Sequence, residues 1–314
     1  MFIKNYKNIL LPILIISANT VFAQKDSLNE NKNPVKAVFF YRYLSLRDAA
    51  FKFVYNITKS SKDTFNSSIN KKGYTLVFND DFDSLDHKKW RIGQAWGEYI
   101  PGFQHQYFAK NAVQTSNGYL YLNTINESKQ FKILDSMVTM PYGVGLINSD
   151  MSFMQKYGYF EIRSKNPSGP ATWPAFWLTG AHRWPPEIDI FEMYGGKTGK
   201  GVHRQTYTVH WGRGGTKSRG YLTKHLNLPH NTDTAFHVYA CDWSAKRIKF
   251  YTDGKLIRSQ RVGKKLRQWL NDEMVVVINN GLEPKYLKNL PADFKSNSFV
   301  VDWVRVYKKN SSNK

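Results

Sequence analysis

The sequence has a single cysteine among its 314 residues, Cys241. A disulfide within the chain is therefore impossible, and no His/Cys spacing typical of zinc sites occurs. Because Cys241 lies in an alternating apolar stretch, we expect a buried, unreactive thiol. No glycine-rich phosphate loop follows a strand, and no repeat of about 20–50 residues occurs. These absences argue against zinc-dependent and nucleotide-binding functions and leave stability to packing.

Acidic residues are scarce: the sequence has 24 Asp and Glu residues against 45 Lys and Arg residues, which gives a net charge of +21. Such a balance is common in nucleic-acid-binding proteins, but no motif of that kind occurs, so no nucleic acid partner is expected. Much of the excess is spread among lysine-rich turns, as in a solvated basic surface. One region differs, because no acidic residue occurs from Met193 to Asn231 and its charge would attract an anionic polysaccharide. Its basic residues are Lys197, Lys200, Arg204, Arg213, Lys217, Arg219 and Lys224.

Long apolar runs are missing beyond the N-terminus. Residues 1–23 read as a secretory signal, with Lys4 and Lys7 before an apolar stretch from Ile9 to Ile16 and a cleavage site at Ala23-Gln24. A secreted or periplasmic protein is therefore expected. The apolar stretch is too short for a retained membrane helix, so no stable membrane insertion is expected.

Helical periodicity is also scarce after Tyr74, where short alternating runs are bounded by Gly, Asn, Asp and Pro. Many short strands with turn signals between them indicate a β-sandwich or barrel. Asp253-Gly254 predicts a hairpin turn, and residues 264–270 predict a helix of one or two turns. Clear strand patterns occupy residues 118–124, 158–164 and 246–252.

The domain boundaries follow from composition. Residues 24–73 are expected to form a linker and a helical extension: 24–34 are typical of disorder, whereas 35–66 have a roughly helical pattern. The latter segment could pack on the sandwich or form a small interaction element. The main domain is predicted to span 74–309, followed by a polar tail at 310–314.

Three carboxylates interrupt the apolar run from Glu187 to Glu192. In a regular strand Glu187 and Asp189 share one face and Glu192 lies on the other. A β-bulge around Ile190-Phe191 would return Glu192 to the first face. The glutamate Cα atoms would then lie roughly 13 Å apart, bringing the carboxyl groups to about 5 Å, as in a retaining glycosidase.

Tryptophans surround these carboxylates. Alternating acidic residues on a strand usually form a solvated face, and tryptophans usually belong to the core. Here, however, Trp173 and Trp177 precede the motif and Trp184 stands beside Pro185-Pro186 directly before it. Because pyranose faces stack on aromatic rings, the combination indicates a sugar-binding cleft. Trp184 is the expected platform and Trp177 a flank of the catalytic subsite.

The run from Tyr157 to Gly196, with its WPAFWL and EIDIFE segments, resembles glycoside hydrolase family 16 in its bulged ExDxxE branch of laminarinases and agarases. Further segments, Leu76–Arg91, Phe236–Arg258 and Phe299–Lys309, resemble strands of the same family, so the likeness covers about residues 74–309. The resemblance implies an all-β fold, a concanavalin-like jelly-roll sandwich of two curved antiparallel sheets whose concave sheet forms an open cleft.

The resemblance also implies roles for the site residues. Glu187 would be the nucleophile, Glu192 the general acid/base, and Asp189 the group that orients the nucleophile, with no cofactor required for catalysis. His210 would face the acid/base, although a lone histidine is more often structural. Asn111 is similar to an asparagine of the family's cleft.

A structural calcium ion is a further implication of the family. Members often hold calcium on the convex side through one acidic residue of the opening strand and one of the closing strand. Asp81 and Asp302 match these places, and their oxygen atoms suit calcium.

These features predict a secreted, endo-acting, retaining β-glycosidase that hydrolyses β-1,3- or mixed-linkage glucan as a monomer. Two departures from laminarinases, Pro185-Pro186 and the basic loop Gly212–Gly220, favour an alternative. In this alternative the substrate is a sulfated galactan of the agar, porphyran or carrageenan type, with Arg213 and Arg219 binding sulfate. A third hypothesis is a polysaccharide-binding protein without turnover.

Overall fold

Short alternating runs fold into strands throughout the part of the chain that the computed structural model describes, residues 71–199, 203–213 and 219–310, with only the backbone of Arg219. The predicted signal peptide, the helical extension and most of the polar tail lie outside these residues. The strands are β1 Tyr74–Asp80, β2 Arg91–Ile92, β3 Gln106–Phe108, β4 Val113–Ser116, β5 Tyr119–Ile125, β6 Lys129–Ile133, β7 Ser136–Met140, β8 Tyr142–Val144, β9 Leu146–Asn148, β10 Gly158–Lys165, β11 Thr172–Gly180, β12 Glu187–Met193, β13 Arg204–Gly212, β14 Arg219–Asn227, β15 His237–Trp243, β16 Arg247–Thr252, β17 Lys255–Arg261, β18 Met274–Leu282 and β19 Ser296–Lys309.

Helical structure is limited among the described residues. The predicted helix at 264–270 is a single α-helical turn, α1 Lys264–Arg267, and 3-10 helices cover Lys110–Ala112 and Pro284–Asn289. No helix in this part of the chain is long and apolar enough to cross a membrane. The predicted all-β class is confirmed.

Two sheets contain most of the strands. The larger sheet has the order β17-β16-β15-β10-β19-β5-β8-β3, with β1 added beside β19 and β4 beside β5. The smaller sheet has the order β14-β13-β12-β11-β18-β9-β2. All neighbours pair antiparallel except β3 and β8, which are parallel. The hairpin of β6 and β7 forms a separate two-stranded sheet.

The core lies between the two sheets and is rich in aromatic side chains. Phe191 of β12 meets Phe299 of β19 at a ring-centroid distance of 5.9 Å, and Tyr207 of β13 stacks on Phe250 of β16 at 4.9 Å. Phe191 and Phe299 are fully buried, and each such side chain stabilises the fold by about 1.5–3 kcal/mol. This packing fixes the inner face of β12 and leaves its other face for function.

Local predictions are confirmed at two further positions. Asp253 and Gly254 connect β16 to β17, and both have positive φ, 48° and 74°, as a two-residue hairpin turn requires. Cys241 is fully buried in β15, and burial raises the pKa of its thiol well above the usual value. It is therefore an inert core residue.

Candidate active site

The bulge in β12 lies where the sequence predicts it. Against β11, Phe176 pairs with Phe191 and the next residue, Trp177, pairs with Asp189, so Ile190 is the additional residue of β12. The pairing with β13 shows the same irregularity between Asp189 and Glu192. A two-against-one mismatch of this kind is a β-bulge.

The bulge separates apolar from acidic side chains on β12. Ile188, Ile190, Phe191 and Met193 are fully buried. Glu187 and Glu192 are only partly buried, and Asp189 between them is 4% exposed. Since the four apolar residues fill the core, the three carboxylates share the outer face of the smaller sheet.

Glu187 has two neighbours that can donate hydrogen bonds. The indole Nε1 of Trp184 donates to its Oε2 at 2.7 Å, and Nε2 of His210 lies 3.3 Å from its Oε1. His210 Nδ1 is buried without a hydrogen-bond partner in the described part of the chain. A neutral imidazole therefore carries its proton on Nε2, where it faces the carboxylates.

Asp189 lies between the two glutamates. Its Oδ2 is 3.4 Å from Nε2 of His210, and it also shares hydrogen bonds with Glu187 and with Thr208 of β13. A hydrogen bond between two carboxyl groups requires one of them to be protonated. Glu187 and Asp189 can therefore share one proton, and their contact holds the two side chains in a fixed relative position.

Glu192 has a different set of partners. Its Oε1 accepts hydrogen bonds from Nε1 of Trp173 and from the hydroxyl of Tyr194, each at 2.8 Å. The ring of Tyr194 packs on that of Trp173 with centroids 5.4 Å apart. The sequence predicted Trp173 near the site but missed Tyr194, although a strand continued past Glu192 would put the second residue after it on the same face.

All three carboxyl groups hold protons more tightly than usual. Burial, followed by the charge of Asp189, raises the pKa of Glu187 to about 8. Burial and Glu192 hold the pKa of Asp189 well above its usual range, and burial raises the pKa of Glu192. Because neighbouring carboxylates cannot all ionise at neutral pH, the cluster retains at least one shared proton there.

Aromatic rings continue the site beyond both glutamates. On the Glu187 side, the ring of Trp184, which is 42% exposed, lies 6.2 Å from His210, and His210 lies 6.1 Å from Tyr221 of β14. On the Glu192 side, Phe103 lies 6.0 Å from Trp173. No sequence signal singled out Tyr221 or Phe103, because only the sheet order and the loop path bring them here.

Trp177 pairs in register with Asp189 and is partly buried. Its Nε1 donates to Oδ1 of Asn279 at 2.7 Å, and its ring packs against a buried cluster that includes Val275 and Val277. Trp177 therefore lies beside the carboxylates, but its indole N–H is bonded to Asn279 of the neighbouring strand β18.

The structure does not bring Asn111 to the carboxylates. This residue is exposed on the 3-10 helix between β3 and β4, and its amide donates to Glu127 at 2.8 Å. The helical turn thus directs the side chain to a carboxylate in the loop between β5 and β6. The prediction that Asn111 lines the cleft is not supported.

The two predicted arginines lie near the strand pair that carries His210. Arg213 is exposed directly after the end of β13. Arg219 begins β14, and its backbone pairs with Gly212. The loop between them, at 214–218, lies outside the described residues.

The predicted calcium ligands do not fit a shared metal site. Asp302 forms an ion pair with Arg163, and Asp81 forms a separate one with Arg305 at 3.2 Å. Each carboxylate is therefore already neutralised by a guanidinium group, whereas calcium requires several oxygen ligands around one position.

Two other clusters among the described residues have metal-ligand chemistry: Glu187, Asp189 and His210, and His230, His237 and Asp253. In the second cluster His237 Nδ1 already bonds Asp253 at 2.8 Å, and the two histidine rings are stacked 4.1 Å apart. Stacked rings do not direct their in-plane lone pairs at one point, so this group is better suited to packing. The first cluster belongs to the carboxylate row of β12 described above.

A family model described as "Beta-porphyranase A-D, GH16 domain" matches residues 75–309. The chain belongs to glycoside hydrolase family 16. The resemblance inferred from the EIDIFE and WPAFWL segments is thereby confirmed, and the two-sheet architecture is the jelly-roll sandwich of family 16.

Relatives within family 16 act on different polysaccharides. An endo-1,3-1,4-β-glycanase of Rhizobium meliloti (strain 1021) is 28% identical over 68% of this chain and 49% of its own length. A keratan-sulfate endo-1,4-β-galactosidase of Sphingobacterium multivorum is 26% identical over 94% of this chain and 66% of its own. The chain spans about half the length of the first curated relatives it matches.

Among solved structures, the catalytic domain of an endo-1,3-β-glucanase (laminarinase) from Thermotoga petrophila RKU-1 is 25% identical, with a TM-score of 0.61. The match covers 76% of this chain and 99% of that one. The family 16 fold therefore accounts for nearly all of the described residues.

Proposed function

We propose that the protein is an endo-acting, retaining β-glycan hydrolase. The observation that carries the proposal is the bulge at Ile190, which puts Glu187, Asp189 and Glu192 on one face of β12. The two glutamates have different hydrogen-bond donors, so they are chemically distinct. A retaining glycosidase requires such a pair, one nucleophile and one proton donor.

In the first step, Glu187 attacks the anomeric carbon and forms an ester bond to the sugar while the bond to the leaving oxygen breaks. Glu192 gives its proton to that oxygen. In the second step a water molecule loses a proton to Glu192, its oxygen bonds to the anomeric carbon, and Glu187 is released. Asp189 and Nε2 of His210 are close enough to orient Glu187 throughout.

Internal cleavage is supported by rings at both ends of the carboxylate row. Trp184 and Tyr221 lie on the Glu187 side, 42% and 63% exposed, and Trp173 and Phe103 lie on the Glu192 side. Sugar units on both sides of the scissile bond could stack on these rings. An endo-acting enzyme binds its substrate in this way.

The first substrate class is β-1,3- or mixed-linkage glucan. It is supported by the names of two similar proteins, an endo-1,3-1,4-β-glycanase and a laminarinase. The neutral, aromatic character of the ring positions is consistent with an uncharged glucan, whose pyranose faces offer mainly C–H groups for stacking.

The second substrate class is a sulfated β-galactan. The matching family model is described as a β-porphyranase, and one relative is named for keratan sulfate. On this chain, exposed Arg213 and Arg204 lie at opposite ends of β13, and Lys224 lies on the next strand. Guanidinium groups suit sulfate oxygens because of their paired N–H donors.

The test is a substrate panel for the mature protein: laminarin, mixed-linkage β-glucan, agarose, porphyran and carrageenan. Reducing ends and product lengths identify the substrate, and proton NMR of the first product identifies its anomer. A mixture of oligosaccharides released as the β-anomer is expected. Initial release of the α-anomer would overturn the retaining mechanism.

Glu187→Gln is the control for contaminating activity in that panel. Products from the glucans alone support the first class, and products from porphyran or carrageenan support the second. Binding to a polysaccharide without any products would contradict hydrolysis and favour a polysaccharide-binding protein.

We also propose that the protein is exported, since residues 1–23 have the composition of a secretory signal. N-terminal sequencing of protein recovered from periplasm or medium should begin at Gln24. Full-length protein confined to the cytoplasm would contradict export.

A further inference from the structure

Two donors converge on a single oxygen of Glu192. Trp173 Nε1 and the Tyr194 hydroxyl each lie 2.8 Å from Oε1. An indole N–H can only donate, and two donors occupy both lone pairs of this oxygen. The acidic proton of Glu192 must therefore lie on Oε2.

We propose that Tyr194 is a positioning residue which, together with Trp173, fixes the transferable proton of Glu192 on Oε2 and keeps this carboxyl group acidic enough to protonate the leaving oxygen. The proposal rests on the proposed function, in which Glu192 is the general acid. It gives Tyr194 a specific task beyond packing, although Tyr194 itself need not touch the substrate.

The position of Tyr194 supports this task. It follows directly after the end of β12 at Met193, and its hydroxyl reaches the carboxyl group of Glu192. Its ring packs on Trp173 at 5.4 Å with an interplanar angle of 32°, which restricts where the hydroxyl can go. Burial and the charge of Glu192 raise the pKa of Tyr194, so the hydroxyl remains a donor.

The two donors lower the pKa of Glu192, which opposes the effect of burial. Burial disfavours the charged form of Glu192, whereas hydrogen bonds from Tyr194 and Trp173 favour it and lower its pKa. Without these donors the carboxyl group would hold its proton too tightly to be an effective acid.

Other titratable groups near Glu192 and Tyr194 also affect the pKa values of these two residues, some raising and some lowering them. Asp189 and Glu187 are the acidic neighbours on β12, His210 faces the cluster from β13, and Glu283 interacts with Tyr194 from the segment after β18. His210 lowers the pKa of Glu192. Tyr194→Phe removes the hydroxyl alone and leaves the side chains of all of these residues unaltered in the sequence.

The test is Tyr194→Phe, with Tyr74→Phe as the matched control. Tyr74 also donates to a carboxylate, Asp242, at 3.3 Å, but it lies on β1 of the other sheet. Carboxyl-carbon NMR of labelled glutamate, assigned with Glu192→Gln, gives the Glu192 titration midpoint without substrate. This midpoint should rise by about half a unit to one unit in Tyr194→Phe, as expected for one lost hydrogen bond to the charged form, and stay unchanged in the control.

Kinetics provide the second readout. The basic limb of the kcat/KM profile should move to higher pH in Tyr194→Phe, because it reports the ionisation of the acid. Cleavage of the polysaccharide should fall roughly 3- to 10-fold. Glycosylation by an aryl glycoside with a good leaving group should change little, since its leaving oxygen needs no proton.

An unchanged Glu192 midpoint would overturn the proposal, as would an equal loss on both substrates, which is the result of a merely structural role. Trp173→Phe should move the midpoint in the same direction and serves if Tyr194→Phe does not fold. If no glycan is cleaved but the midpoint still rises, the proton position stands and the proposed function fails.

Discussion

The indole Nε1 of Trp184 lies 2.7 Å from Oε2 of Glu187, so one exposed loop residue contacts the proposed nucleophile directly. The same ring is 42% exposed and lies 6.2 Å from that of His210. Trp184 therefore combines two tasks, a hydrogen bond to Glu187 and a surface on which a sugar can stack. Substitution can separate them.

Trp184→Phe should keep the stacking surface and remove the hydrogen bond. Because this bond lowers the pKa of Glu187, the acid limb of kcat/KM should move to higher pH, and kcat should fall about 10-fold. Trp184→Ala should in addition raise KM. Steady-state kinetics from pH 4 to 9 measure both effects. Identical profiles for wild type and Trp184→Phe would contradict the role of the indole.

Glu187→Gln should abolish turnover and leave polysaccharide binding intact, because a neutral amide cannot form the glycosyl–enzyme bond. Glu192→Gln should lose activity on polysaccharide but retain glycosylation by activated aryl glycosides. Rapid-mixing kinetics and affinity electrophoresis measure the two properties. Turnover by Glu187→Gln would mean that the nucleophile is another residue.

Stability should depend on pH through Glu187. Its folded-state pKa, about 8, is above the ordinary value of 4.5, so its contribution is fully present below about pH 4.5 and is lost as pH rises to about 8. Each pKa unit corresponds to about 1.36 kcal/mol. The Tm of wild type should therefore fall relative to Glu187→Gln over this range, by about 2–4 °C for each kcal/mol.

Calorimetry of both proteins at about pH 5, 7 and 9 checks this expectation. The control is Glu98→Gln, which alters an exposed carboxylate paired with Lys129 away from β12. A Tm difference between wild type and Glu187→Gln that does not vary with pH would contradict the raised pKa.

Arg213 and Arg219 distinguish the two substrate classes. Changing both to Ala should weaken activity on a sulfated galactan by about 10-fold or more, since each lost charged hydrogen bond is worth about 1.5–3 kcal/mol, and affect a neutral glucan little. Arg261→Ala is the control, because it removes an exposed arginine of β17 in the other sheet. Equal effects on both substrates would contradict sulfate binding.

Tyr221→Ala should raise KM for long oligosaccharides about 3- to 10-fold and leave short ones unaffected. The side chain is 63% exposed on β14 and continues the ring series of Trp184 and His210, so we expect it to contact a sugar unit farther from the cleaved bond than the one at Trp184. Leu222→Ala alters the neighbouring residue, which points to the opposite face. A uniform effect at all chain lengths would indicate a structural role.

Much of the fold could be predicted because its signals are local. Strand alternation has a period of two, so the run 118–124 specifies its buried face: Leu120, Leu122 and Thr124 are fully buried and the residues between them are only partly buried. The bulge in β12 was predictable for the same reason: Glu187, Asp189 and Glu192 can share one face only if the strand contains an extra residue.

Tertiary structure decided the partners of those side chains. The amide of Asn111 donates a hydrogen bond to Glu127. The carboxylates of Asp81 and Asp302 form ion pairs with two different arginines. Only the folded chain brings these groups within reach of one another. Their partners are 16, 224 and 139 residues away in sequence, where no periodic pattern extends.

The sequence by itself determined the family, the two-sheet β class and which carboxylates share one strand face, since these depend on residue type and spacing. Only the tertiary structure decided that Tyr194 and Trp173 meet on one oxygen of Glu192 and that Tyr221 extends the ring series. Hydrogen bonds and ring contacts depend on distances of a few ångströms between separate strands, and those distances are set by sheet order and packing.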